Sequence, residues 1–100
     1  ELLNRAPSAE VVKSVEEVVS ESLGDLPVVE SFVRVLQPGR TRMVSVHVVL
    51  PAEYPVSSIG ELDEIRTGIL GALQKLHGST FVDVLFTADR RWGAPLGSRD

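Results

Sequence analysis

The sequence predicts an α+β fold: an open two-layer αββαβ sandwich with a three-stranded mixed sheet and two helices on one face. Three observations carry this. Residues Thr41 to Leu50 alternate almost strictly, with Val44, Val46, Val48 and Leu50 on one side and Met43, Ser45, His47 and Val49 on the other. A period of two in β-branched residues marks a strand with one face in the core. Stretches of helical periodicity lie before and after this strand, and a Pro-Gly turn joins it to an earlier one.

The elements follow in order. Ser8 and Glu10 suit the start of a helix, as cap and as first-turn acid. Val11, Val15, Val18, Val19 and Leu23 recur at helical spacing up to Gly24, which stops the helix. Valine is a poor helix former, so tertiary packing must hold this segment. Val28 to Leu36 reads as the first strand, with Val29, Ser31, Val33 and Val35 on one face and Glu30, Phe32, Arg34 and Leu36 on the other. Gln37-Pro38-Gly39-Arg40 is a tight turn into the central strand. Ser58 and Glu61 have capping-box spacing ahead of Leu62, Ile65, Ile69, Ala72, Leu73 and Leu76, a second amphipathic helix that ends near His77 and Gly78. Phe81 to Asp89 is the last strand, with Val82, Val84, Phe86 and Ala88 facing one way and Phe81, Asp83, Leu85, Thr87 and Asp89 the other. A strand–helix–strand crossover makes the last strand parallel to the central one. The sheet face away from the helices then carries Phe32, Leu36, Met43, Val49, Phe81 and Leu85, an apolar patch of the kind that marks a partner surface.

Bulk properties narrow the function. One hundred residues make one domain. A net charge of −4 with scattered basic residues offers no stripe to a phosphate backbone, which argues against nucleic acid. The absence of cysteine excludes disulfides and thiolate metal sites. No apolar run is long enough to span a bilayer, and no signal peptide is expected. No catalytic group stands out, so the expectation is not an enzyme. Ser45 and His47 lack a third group to orient them. No glycine-rich phosphate loop follows a strand. Glu61 and Asp63, two apart on a helix, point away from each other.

Three polar positions are expected to converge. His47 lies near the carboxyl end of the central strand, Asp63 early in the following helix, and Asp89 at the end of the parallel neighbour. These strand ends form the edge where α/β ligand sites gather. One imidazole and two carboxylates suit a divalent cation such as Zn²⁺, Mn²⁺ or Co²⁺. Two of the three also have a structural account: Asp63 suits a helix start, and a lone strand histidine is commonly a surface residue. His77 reads as a cation at a helix C-terminus. Arg90-Arg91-Trp92 reads as part of an unstructured tail, with capping of the sheet edge as the other option.

Several segments, in order, carry a resemblance: Glu1-Leu2-Leu3-Asn4-Arg5-Ala6-Pro7, the hairpin from Val33 through Gly39 to His47 and Val48, the helix opening Ser58 to Ile65, and Val82-Asp83-Val84 leading to Asp89. Together they resemble the cytoplasmic C-terminal domain of cation diffusion facilitator (cation efflux) transporters. The resemblance implies a metallochaperone-like, ferredoxin-like fold, a homodimer, and a divalent metal bound near the dimer interface. It also implies a parent antiporter that exports transition metals against protons, whose transmembrane domain would be a partner at the cytoplasmic face of a membrane. By position, His47 matches the family's strand ligand and Asp89 the acidic ligand after the last strand, while Asp63 stands where many members have a helix histidine. Thr87 replaces a second last-strand histidine. These departures shift a site toward oxygen ligands and toward Mn²⁺ or Fe²⁺ alongside Zn²⁺ and Co²⁺. The expected organisation is a membrane-junction lead-in over residues 1–8, the regulatory domain over 9–89, and a polar tail over 90–100. The alternatives are a dimerisation-only module and a ferredoxin-like domain that binds a small molecule.

Overall fold

The computed structural model describes residues 7–94. The expected lead-in lies outside the described residues apart from Pro7 and Ser8, as does the tail beyond Ala94. The elements are α1 (Ala9–Leu23), β1 (Glu30–Leu36), β2 (Arg42–Val49), α2 (Ile59–Leu76), β3 (Thr80–Thr87) and a short α3 (Arg90–Gly93).

Local chemistry sets the boundaries. Ser8 caps α1 by accepting from the Val11 amide at 3.2 Å, and Gly24, with φ 56°, ends it. Gly39, with φ 74°, turns the hairpin between β1 and β2. Ser58 caps α2 by accepting from the Glu61 amide at 3.2 Å. The reciprocal half of the capping box is displaced by one residue. Glu61 accepts from the Ser57 amide at 2.8 Å and from the Tyr54 hydroxyl at 3.0 Å. Those bonds, the Ser57 amide first, hold the Glu61 carboxyl below its ordinary range, and the same contact raises the Tyr54 phenol. The proline-bearing loop before α2 is thereby tied to the helix it precedes. At the other end of α2, the His77 ring donates from Nε2 to the Arg40 carbonyl at 2.8 Å, joining the helix end to the hairpin turn.

The sheet order is β1-β2-β3, with β1 and β2 antiparallel and β2 and β3 parallel. Both long helices pack together against one face. The buried positions are those the alternation assigns to it: Val44, Val46, Val48 and Leu50 from β2, Val35 from β1 and Val84 from β3. They join Val15, Val19 and Leu23 of α1 and Ile69 and Leu73 of α2 in one cluster. The valine-rich α1 is held by this packing, as its weak propensity requires.

The opposite face is organised in four rows by the strand register. Leu36, Met43 and Phe81 form the first row, and Arg34, Ser45 and Asp83 the second. Phe32, His47 and Leu85 form the third, and Glu30, Val49 and Thr87 the fourth. The first row is open to solvent, at 41%, 46% and 67% exposure, whereas Val49 in the fourth is only 4% exposed. This contrast locates what happens at the rim.

Candidate functional site

The difference between the rows comes from the segment expected to be a polar tail. Its first residues instead make α3, which lies across the third and fourth rows. The expected strand stops at Thr87 because the Thr87 hydroxyl accepts the Asp89 amide at 3.0 Å and turns the chain. Asp89 then caps α3 through the Arg91 amide at 2.9 Å. The Arg90 guanidinium bonds Glu30 at 2.9 Å and stacks on the Phe32 ring at 5.4 Å. Gly93 sits so close to the sheet that a Cβ there would lie 2.8 Å from Val49 Cγ2 and 3.4 Å from the Phe32 ring. Ala94 follows at 1% exposure. The folded unit therefore runs beyond residue 89, and α3 caps the sheet face.

His47 belongs to this rim. Its Nδ1 lies 2.8 Å from the Gly93 carbonyl. A carbonyl only accepts, so Nδ1 carries the proton and the neutral ring keeps its lone pair on Nε2. His47 also borders a small groove with Phe32, Arg34 and Ser45.

Asp63 and Asp89 are engaged elsewhere. Asp63 pairs with Arg66 at 2.9 Å on the exposed side of α2. Arg66 in turn donates to the Val84 carbonyl at 3.3 Å and lies over the Phe86 ring at 5.1 Å, so it staples α2 to β3. Asp89 is bound by the Arg91 guanidinium at 2.8 Å as well as by the Arg91 amide.

Within a single chain the structure does not bring His47, Asp63 and Asp89 together at one rim. Among the described residues, no group of three His, Cys, Asp or Glu side chains is placed to hold a metal ion. Strand parity supplies the reason. His47 alternates with the core residues Val46 and Val48 and so projects from the open face, whereas α2 and Asp63 lie across the sheet. Asp89 turns onto the open face but spends its oxygens on α3 and Arg91. Within one chain these residues do not fit a divalent-metal centre.

The Asp89 contacts make α3 sensitive to acid. The Arg91 guanidinium first, and then the Arg91 amide, hold the Asp89 carboxyl below its ordinary value, against a smaller opposing effect of burial. A carboxyl depressed on folding contributes stability that is complete above the unfolded value of about 3.9 and is lost as pH falls through the folded value. Amide exchange at Trp92 and Ala94, followed by NMR down a pH series, is expected to lose protection below about pH 4. In Asp89→Asn, which can still cap, that acid step should be missing.

No family model matches the chain, and no curated protein matches it in sequence. Solved structures do. The zinc form of CzrB, described as a putative zinc transporter, aligns with a TM-score of 0.64 at 16% identity, covering 95% of this chain and 96% of that one. A second CzrB structure aligns with a TM-score of 0.65 at 16% identity, covering 81% of this chain and 95% of that one. The chain has the CzrB fold. The three-stranded mixed sheet and the two long helices on one face are the architecture expected from the sequence. At this identity the shared CzrB architecture speaks for fold and leaves the site to be argued from this chain's own residues.

Sequence reasoning missed the roles of Arg90, Gly93 and Ala94. The signal was the compact run Asp89-Arg90-Arg91-Trp92-Gly93-Ala94, which opens with a capping residue and places a glycine beside an alanine where close approach is needed.

Proposed function

We propose that this chain is the regulatory domain of a divalent-metal transporter, standing at the cytoplasmic face of a membrane beside the parent's transmembrane domain, and that its work is to bring two copies together. The observation that carries this is the open sheet face, where Leu36, Met43, Phe81 and Leu85 remain 38–67% exposed on rigid strands. Large apolar side chains left exposed together on one rigid face of a small domain mark a partner site. The CzrB fold supplies the transporter context. Among the described residues no helix is long and apolar enough to cross a membrane.

A second reading adds metal sensing, with His47, Asp63 and Asp89 as ligands drawn from two copies. Its support is the His47 ring, which donates Nδ1–H to a carbonyl and keeps Nε2 available, the arrangement typical of a metal-binding histidine. It requires the Asp63–Arg66 and Asp89–Arg91 pairs to open, and an Asp63 from a copy that is not the one seated on the open face, since α2 lies on the other side of the sheet. One experiment tests both readings. Sedimentation equilibrium is expected to show a concentration-dependent dimer. A chain that stays monomeric throughout removes the association reading. If Zn²⁺ or Mn²⁺ tightens the dimer in wild type and not in His47→Ala, metal sensing stands; a dimer indifferent to metal and chelator leaves assembly alone.

A further inference from the structure

The two halves of the molecule treat their cations differently. In the half that bears α3, each arginine is matched with a carboxylate: Arg66 with Asp63, Arg90 with Glu30 and Arg91 with Asp89. At the opposite end, the hairpin turn, the last turn of α2 and the start of β3 are tied together. The His77 ring donates to the Arg40 carbonyl at 2.8 Å, the Arg42 amide donates to the Ser79 carbonyl at 2.8 Å, and the Thr41 and Ser79 hydroxyls lie 3.0 Å apart. The first turns of α1 join them, because Arg42 and Leu76 line an open groove with Glu10, Val11 and Ser14.

This end gathers Arg40, Arg42 and Lys75, with Lys13 in the second turn of α1. Among the described residues, none of the four pairs with a carboxylate. Arg42 donates to the Gln37 side-chain oxygen at 3.2 Å. Glu10 is the acid they share this end with. The chain is acidic as a whole, at −4, and the excess is carried by the other half, with Glu21, Asp25, Glu53, Glu61 and Glu64 beside the paired acids. Large apolar side chains accompany the unpaired cations. Leu76 is 42% exposed next to Lys75, and Leu36, Met43 and Phe81 of the first row flank the turn.

We propose that this end lies against an anionic lipid surface, where Lys13, Arg40, Arg42 and Lys75 meet the headgroups. The inference rests on the reading above, which sets the chain at the cytoplasmic face of a membrane, and adds which end touches it. The described residues start at this end, at Pro7, so the lead-in read as the membrane junction delivers this end and not the α3 rim. Unpaired cations beside exposed apolar side chains suit a headgroup layer, which accepts both. The negative potential of a cytoplasmic leaflet gives each nearby Lys or Arg about a fivefold gain in partitioning. A nucleic acid fits less well, since strong binding to a phosphate backbone draws on roughly 6–10 contacts along a track, and cations around one helix end form no track. The contact is weak for a free domain. In the parent, the transmembrane domain would hold this end at the bilayer, where a weak contact still sets orientation.

Sedimentation with sucrose-loaded vesicles tests the contact. The chain is expected to pellet at low salt with phosphatidylcholine vesicles that contain phosphatidylserine, to ignore phosphatidylcholine alone, and to be released as salt shortens the screening length. Arg40→Glu and Lys75→Glu should each lower partitioning about fivefold or more. Arg34→Glu makes the same change in net charge on the open face and should leave it nearly unchanged. Circular dichroism and melting confirm folding, and Arg40→Gln with Lys75→Gln serve if either reversal does not fold. No partitioning at any salt would overturn the proposal, as would equal partitioning onto both vesicles or an Arg34→Glu loss as large as that of Arg40→Glu. Tighter binding to single-stranded RNA than to the mixed vesicles at the same salt would overturn it too. A chain that dimerises and ignores the vesicles removes the lipid contact and leaves the association reading standing; a monomer that binds the mixed vesicles does the reverse.

Discussion

Ile69→Ala is expected to lower stability by about 2–5 kcal/mol, a large share of the roughly 5–15 kcal/mol that holds a domain of this size together. Ile69 has 0% exposure and lies mid-helix in α2, within the cluster that joins Val15 and Val19 of α1 to Val46 and Val48 of the sheet. A chain of 100 residues has one core and little reserve. Removing three carbons from its centre leaves a cavity whose walls belong to a helix and a sheet, and neither collapses easily. The control is Leu76→Ala. Leu76 belongs to the same periodic stripe but is 42% exposed at the end of the helix, so its cost should stay within about 1 kcal/mol. Urea unfolding at low protein concentration checks both. The Ile69 variant should show a lower midpoint with an unchanged slope, and a melting temperature about 10–30 °C lower. Equal shifts in the two variants would mean that the stripe, and not the core position, sets the energy.

That contrast shows what the sequence could reveal. Alternation in β2 separates core from open face residue by residue, and the buried set Val44, Val46, Val48 and Leu50 is the one it names. The capping serines and the hairpin glycine act locally, so they are legible from a few neighbours. The metal constellation follows from where the elements end, and element ends carry no information about which face a side chain takes. Position 47 is odd-numbered among even-numbered core positions, which sends its side chain away from α2 and therefore from Asp63. The rim was illegible for a different reason. The docking of α3 depends on contacts far apart in sequence, such as Arg90 with Glu30 and His47 with Gly93. A four-residue turn has no periodicity to announce it. Polar composition after Asp89 suggests solvent, yet Arg90 covers the sheet edge, pairing with the Glu30 carboxylate and stacking on the Phe32 ring.

Gly93→Val is expected to lift α3 from the sheet. Even a single added carbon would approach Val49 Cγ2 to 2.8 Å, closer than van der Waals contact allows. Val49 cannot yield readily, because it is β-branched, 4% exposed and fixed in the central strand. The movable partner is the short helix, held by one turn of backbone, the Arg90 contacts and the His47 bond. Overpacking of this kind costs about 1–3 kcal/mol, which corresponds to roughly a 5- to 150-fold shift in a local opening equilibrium. Amide exchange at Trp92 and Ala94 should accelerate by that factor, and the His47 Nδ1 proton should exchange with it, because its acceptor is the Gly93 carbonyl. Core amides of β2 should change less. Unchanged exchange at both sites would show that α3 does not depend on the close approach. The variant also separates two properties that usually move together. Lifting α3 exposes Val49 and Phe32 beside the apolar rows, so the altered monomer should be less stable and yet associate more strongly. A lid whose removal strengthens self-association would be acting as a limit on how much of the sheet face a second copy can reach.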